Sequence, residues 1–248
     1  MAAITRGVFS AKPGADRNAF LLLVGLVWVA VLSGFGTDSF DHVSRHGLDY
    51  PLIVHFHAVA FVGWLALFTT QVALIRAGRA DIHRRLGMAG AVLAAAMVVL
   101  GPATALIVDA QAYVKHGETP EFLGVQLTDI IAFVGLTTAG LLLRGASPAH
   151  KRLMLLGLIY ISDAGFARFV NPILAAPLGQ GEIGRFAQLY LGSDLLLLGL
   201  GAYDLVTRRK LHPAYIAGAA WSLALQLTAL ALLQSPGWKA VTLRLIGH

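Results

Sequence analysis

Apolar stretches of about twenty residues alternate with short polar turns along the whole chain, at about 18–36, 51–76, 86–108, 123–143, 153–174, 185–206 and 214–234. At 1.5 Å per residue each is long enough to cross a hydrocarbon layer of about 30 Å. The few polar positions inside these stretches fall in a recurring order. His57-Ala-Val-Ala-Phe-Val-Gly63 returns seventy-two residues later as Asp129-Ile-Ile-Ala-Phe-Val-Gly135, and His83-Arg-Arg-Leu86 returns as His150-Lys-Arg-Leu153. Both basic turns are followed by a glycine seven residues after the histidine, Gly90 and Gly157. The pattern predicts an all-α polytopic membrane bundle of seven transmembrane helices with a duplicated hairpin, helices 2–3 and 4–5. A degenerate third copy in helices 6–7 runs from Asp194 to Arg208-Arg-Lys-Leu-His212.

Composition agrees with that class. A chain of 248 residues that is 57% hydrophobic and 13% charged, with mean hydropathy +0.71, carries more apolar surface than one soluble core can hide. No loop is long enough for a soluble domain, so residues 1–248 read as a single transmembrane domain. The basic residues set an orientation. Arg6, Lys12 and Arg17, with the second, fourth and sixth loops, hold thirteen of the nineteen Lys and Arg, which places the N-terminus in the cytoplasm. A multi-pass protein of the cytoplasmic (inner) membrane is expected. The first apolar run reads as an uncleaved anchor, being longer than a usual signal-peptide core and lacking a small-x-small cleavage site. The net charge of +6 then reflects topology and suits anionic lipids at the cytoplasmic loops, whereas scattered basic residues without an aromatic-lined face argue against nucleic acid. A second copy of the chain or another membrane subunit stands as a candidate partner. The absence of cysteine excludes disulfides and thiolate ligation.

Ionisable groups inside the spans are the candidate chemistry. His57 and Asp129 each lie about six residues into their spans, roughly 9 Å below the outer boundary. Asp163 and Arg168 on the fifth helix and Asp194 on the sixth fall at comparable depth. Each costs about 2.5–3.5 kcal/mol at a helix centre on insertion scales if left unpaired, so the five are expected to converge in an outer polar pocket. Arg168 is then the expected counter-charge for Asp129 or Asp194. A proton, a small solute or a metal would suit such a pocket, with His57 and Asp129 the metal-ligand candidates. The alternative is an interhelical network without chemistry. Trp64 and Gln71 share the His57 stripe and read as packing and interhelical hydrogen bonding. His42 and His46, beside Asp38 and Asp41, share a face if their loop is helical.

At the opposite face His83 and His150 follow basic turns at the starts of returning helices. As facing axial ligands they would hold one b-type haem, with Arg84, Arg85, Lys151 and Arg152 meeting its propionates; a quinone is the other redox candidate. The His83 stripe continues as Gly87, Gly90, Ala94, Met97 and Gly101, a nearly bare face suited to a flat cofactor or to close helix packing.

His57 with Trp64 and Gln71, then His83-Arg-Arg-Leu-Gly87, then His150-Lys-Arg-Leu-Met154 with Arg168 downstream, resembles the pattern of an uncharacterised family of bacterial multi-helix membrane proteins. The resemblance covers helices 2 to 5 and implies a fold without a settled activity. A more distant similarity is to the dihaem cytochrome b reductases that use ascorbate. In that comparison Asp129 stands where a second outer histidine is needed, so the similarity implies one haem at the inner layer. Two functions follow from these readings: a membrane redox protein built on His83 and His150, or a carrier or sensor built on the outer pocket. A non-catalytic accessory subunit is the third.

Overall fold

The computed structural model describes Phe9 and residues 13–248, the side chains of 13–15 and 17 excepted. Arg6, Lys12 and the side chain of Arg17, counted in the charge bias, lie outside the described residues. All regular structure in the described part is helical: α1 (Pro13–His46), α2 (Leu52–Arg76), α3 (Ala80–His116), α4 (Leu123–Leu142), α5 (Ser147–Ile161), α6 (Asp163–Arg168), α7 (Val170–Ala175), α8 (Glu182–Arg208), α9 (Pro213–Leu233) and α10 (Pro236–Leu245), with one 3-10 turn at Ala176–Leu178. Six helices are long and apolar enough to cross a membrane, and a seventh crossing results if the bent pair Ser147–Arg168 and Val170–Leu178 is one span. The protein is thus a helical, apolar bundle of the integral-membrane kind. Its contacts divide it into two units: the described residues up to Gly47 with Ala132–Leu223, and Leu48–Ile131 with Ala224–His248.

The second unit is built on the hairpin of α2 and α3. The turn between them closes at Gly78, whose φ of 74° favours glycine. The bare face of α3 is filled by helix packing. A Cβ at Gly90 would lie 3.1 Å from Leu67 and 4.0 Å from Trp64, and one at Gly101 would lie 2.7 Å from Ile130. Met97 and Ala94 are buried on the same stripe. Small residues here let α2 approach α3 closely, as expected where lipid supplies no hydrophobic drive between helices. Trp64, buried to 4% exposure, is part of this packing. The C-terminal α10 docks on the chain before α4, where Trp238 Nε1 donates to the Glu121 carbonyl at 3.0 Å and Lys239 pairs with the Glu121 carboxylate at 3.4 Å.

The first unit is organised around α5, nine of whose fifteen residues are buried. The apolar stretch expected as one span at 153–174 is broken twice. At Ser162 the hydroxyl donates to the Leu158 carbonyl at 2.7 Å, and the Ser162 amide turns to Ile159, one residue nearer than an α-helical partner. At Phe169 the axis bends by 69°. Pro172 explains this second break, since it offers no amide to the Arg168 carbonyl four residues earlier and its ring crowds that carbonyl. Asn171, fully buried just past the bend, ties α7 to α8: its Nδ2 donates to the Leu189 carbonyl at 2.9 Å and its Oδ1 accepts the Gly192 amide at 2.7 Å. α1 crosses α6 backbone to backbone, so that a Cβ at Gly34 would stand 2.2 Å from the Gly165 carbonyl oxygen.

Helices overrun the apolar stretches that predicted them. α1 continues ten residues past 36 to His46, and His42 and His46 consequently share a face with ring centroids 4.9 Å apart. α3 occupies Ala80–His116, where 86–108 was expected. Hydropathy ends at the edge of the hydrocarbon, while backbone hydrogen bonding continues until a cap stops it, here Gly117 in the left-handed region.

Candidate functional site

Polar side chains gather most densely at the Asp16 end of the first unit. Arg152, with no exposed surface, donates through Nε to Asp204 Oδ2 at 2.6 Å and through a second guanidinium nitrogen to Asp204 Oδ1. This two-point geometry is the one a guanidinium and a carboxylate prefer. Arg208, one turn beyond Asp204, reaches Asp16 Oδ1 at 2.6 Å and lies 3.5 Å from Asp204. Lys151 Nζ donates to Asp16 Oδ2 at 2.6 Å, and the Tyr203 hydroxyl donates to Asp16 Oδ1 at 2.5 Å. Three cations therefore share two carboxylates, which leaves one positive charge in excess. Phe9 lies against Arg152 at 5.4 Å and edge-on to His212 at 4.6 Å.

This local potential fixes two protonation states. Burial opposes ionisation of Asp16, but the hydrogen bonds from Lys151, Tyr203 and Arg208 outweigh it and hold its carboxyl well below the usual carboxylate range. Burial, reinforced by the positive charges of Arg152, Lys151 and Arg208, pushes His212 down to about 4 against the opposing pull of Asp204. A neutral His212 matches its role at the start of α9, where Nδ1 accepts the Ala214 amide at 3.0 Å; an imidazolium has no lone pair for that bond.

Arg152, expected beside a haem propionate, has Asp204 in that place. Lys151 likewise meets Asp16. Arg84 and Arg85 are exposed in the first turns of α3. His83 and His150 occupy the same position, the fourth residue, of α3 and α5, and belong to the second and first units. His150 Nδ1 lies 2.8 Å from the Gly140 carbonyl; because a carbonyl only accepts, Nδ1 is the donor.

The five residues of the expected outer pocket are distributed over both units. In the second, His57 is half-buried and stacked on Phe61 at 4.1 Å, and Asp129 on α4 is buried. In the first, Asp163 begins α6 at 3% exposure and Asp194 is half-buried on α8. Arg168 departs from expectation: its partner is Asp38 at 3.3 Å, with the two side chains 40% and 62% exposed. It also lies over the Phe35 ring at 4.3 Å and donates to the Ala164 carbonyl. Depth counted from a presumed span boundary put Arg168 inside the bundle. The length of α1 shows why it is not: Asp16 and Asp38 are 22 residues apart, about 33 Å, so their ion pairs mark ends separated by roughly one hydrocarbon thickness.

Among the described residues, no group of three or more His, Asp or Glu could hold a metal ion. Asp16, Tyr203 and Asp204 were not picked out from the sequence. A signal existed, since Asp204 is a carboxylate inside an apolar stretch with Arg208 at i+4, but Arg208 reads as an orientation marker and Arg152 as a propionate partner, which hides the pairing. Comparison of the chain with family models, with curated proteins and with solved structures finds no match.

Proposed function

We propose that the protein is a membrane carrier that binds a proton at Asp163. The observation that carries this reading is the placement of that carboxyl: it is 3% exposed, at the residue where the core helix of its unit is interrupted. An ionisable group inside a membrane bundle is costly and marks a functional site by default, and interrupted helices recur at the substrate and ion sites of transporters. Buried hydroxyl groups accompany it in the same unit: Ser162 beside it, Ser193 and Tyr190 on α8, and Tyr160 on α5, whose ring lies 6.4 Å from that of Tyr190. Eleven residues, about 16 Å along the axis, separate Asp163 from Arg152 and its closed network. In this reading the charge bias puts Asp163 in the outer half of the membrane, Asp194 on α8 of the same unit is a further polar contact, and Arg168 with Asp38 anchors the outer end of α1.

The test is proton flux into proteoliposomes loaded with a pH-sensitive dye under an imposed membrane potential. Asp163→Asn keeps the shape of the side chain without its titration and should abolish flux, whereas Asp163→Glu should retain part of it. Wild-type flux no faster than in protein-free vesicles, or undiminished flux in Asp163→Asn with the variant still eluting as folded protein, overturns the proposal.

One observation favours a redox reading. Donation of Nδ1–H to a backbone carbonyl is the usual support for a histidine that ligates a metal through Nε2, and His150 has it. A b-type haem on His150 would give a Soret band that His150→Ala abolishes. A colourless preparation from haem-replete cells eliminates the haem.

A further inference from the structure

In the second unit a cleft of about 470 Å³ opens between the chain entering α2 and the last two turns of α3. Its lining is Asp49, Pro51, Ala110, Gln111, Val114 and Lys115. The volume lies within the range of small-molecule sites. Its chemistry is divided: a carboxylate on the α2 side, an ammonium and a side-chain amide on the α3 side, and the apolar surfaces of Pro51, Ala110 and Val114 between them. None of the ion pairs among the described residues involves Lys115.

The depth of the cleft narrows the ligand. α3 has 37 residues and is about 55 Å long, more than the hydrocarbon thickness, and its apolar stretch ends near residue 108, so its final turns extend beyond that stretch. The cleft residues 110–115 fall within about 9 Å of that end, at the level of lipid headgroups. The charge bias assigns this end to the outer face.

We propose that this cleft binds a small zwitterion, its ammonium toward Asp49 and its anionic group toward Lys115 and Gln111, with its carbon atoms against Pro51, Ala110 and Val114. Two sources offer that chemistry, an ethanolamine phosphate headgroup and a free α-amino acid. The site is independent of Asp163, and neither proposal requires the other.

The full-length protein in detergent micelles is titrated separately with glycerophosphoethanolamine and with L-alanine, and its thermal melting is followed by intrinsic fluorescence. A saturable rise in Tm with either probe is expected, and the probe that acts identifies the source. Asp49→Lys and Lys115→Asp should each weaken binding roughly three- to tenfold, in the range of solvent-exposed ion pairs. The double variant Asp49→Lys/Lys115→Asp should recover affinity, because a zwitterion can bind turned end for end. No saturable shift with either probe, or a shift that the single variants leave unchanged, overturns the proposal.

Discussion

Removing the carboxylate of Asp204 should be among the most damaging single changes in the first unit. Arg152 has no exposed surface, and Asp204 holds it at two points; its remaining hydrogen bond is from Nη1 to the Pro148 carbonyl at 2.7 Å. Asp204→Ala therefore leaves a guanidinium buried without its counter-ion, a change that costs about 3–5 kcal/mol in buried pairs. For a chain of this size each kcal/mol corresponds to roughly 2–4 °C in Tm, so melting should fall by about 6–20 °C. Arg208 cannot offset the loss, because it is itself a cation that loses one of its two carboxylate contacts and keeps only Asp16. The assay is thermal unfolding of the purified protein in detergent, with Asp38→Ala as the comparison. Asp38 and Arg168 are largely exposed, and their pair should be worth no more than about 1 kcal/mol. The double variant Arg152→Met/Asp204→Leu removes both charges from the interior and should recover most of the lost stability. The reasoning fails if Asp204→Ala melts within 2 °C of wild type, or if the double variant is no more stable than the single one.

Two other outcomes follow from the same unit. Gly34→Ala should separate α1 from α6, since its Cβ would meet the Gly165 carbonyl oxygen at 2.2 Å and backbone cannot yield as a side-chain tip can; a loss of about 1–3 kcal/mol is expected in the same melting assay, against no measurable loss for Gly36→Ala, where a Cβ meets open space. Stability should also fall in mild acid through His212. Its folded value of about 4 lies below the ordinary 6.5, so the unfolded chain takes up the proton first and stability drops as pH falls from 6.5 towards 4, by at most roughly 3 kcal/mol. Melting at pH 7.5 and pH 5.0 measures this, and His212→Gln should reduce the difference; Asp16, held below the carboxylate range, contributes only at lower pH.

The helical membrane class and the places of the spans were legible because the apolar stretches are long and their polar interruptions few. What the pattern concealed has physical causes. The run 153–174 is uniformly apolar around Ser162 and Pro172, so hydropathy passes over two breaks that the Ser hydroxyl and the missing Pro amide create. Arg168 was misplaced in depth because a helix end was equated with a hydropathy end. Asp204 is hidden because Arg208 already has an explanation as an orientation signal and Arg152 as a partner for a propionate.

The recurrence of the hairpin bears on packing as well as on sequence. Gly90 lies against Trp64, and Gly157 lies against Leu136 at 3.5 Å, each distance taken from the Cβ that the glycine lacks. The histidine segments are offset by 72 residues and the basic turns by 67; 64 + 72 is 136 and 90 + 67 is 157, so the two contacts occupy corresponding positions. The nearer neighbours, Leu67 of Gly90 and Thr137 of Gly157, do not correspond, so the shared contact is confined to one pair of positions. Gly90 is flanked by Leu67, 3.1 Å away, and by the ring of Trp64 at 4.0 Å, whereas Gly157 is flanked by Thr137, 3.0 Å away, and by Leu136. His57 and Asp129 lie on the same stripes as Trp64 and Leu136, seven residues before each, so the two segments differ in polar chemistry two turns from a position where both pack against a glycine of the following helix.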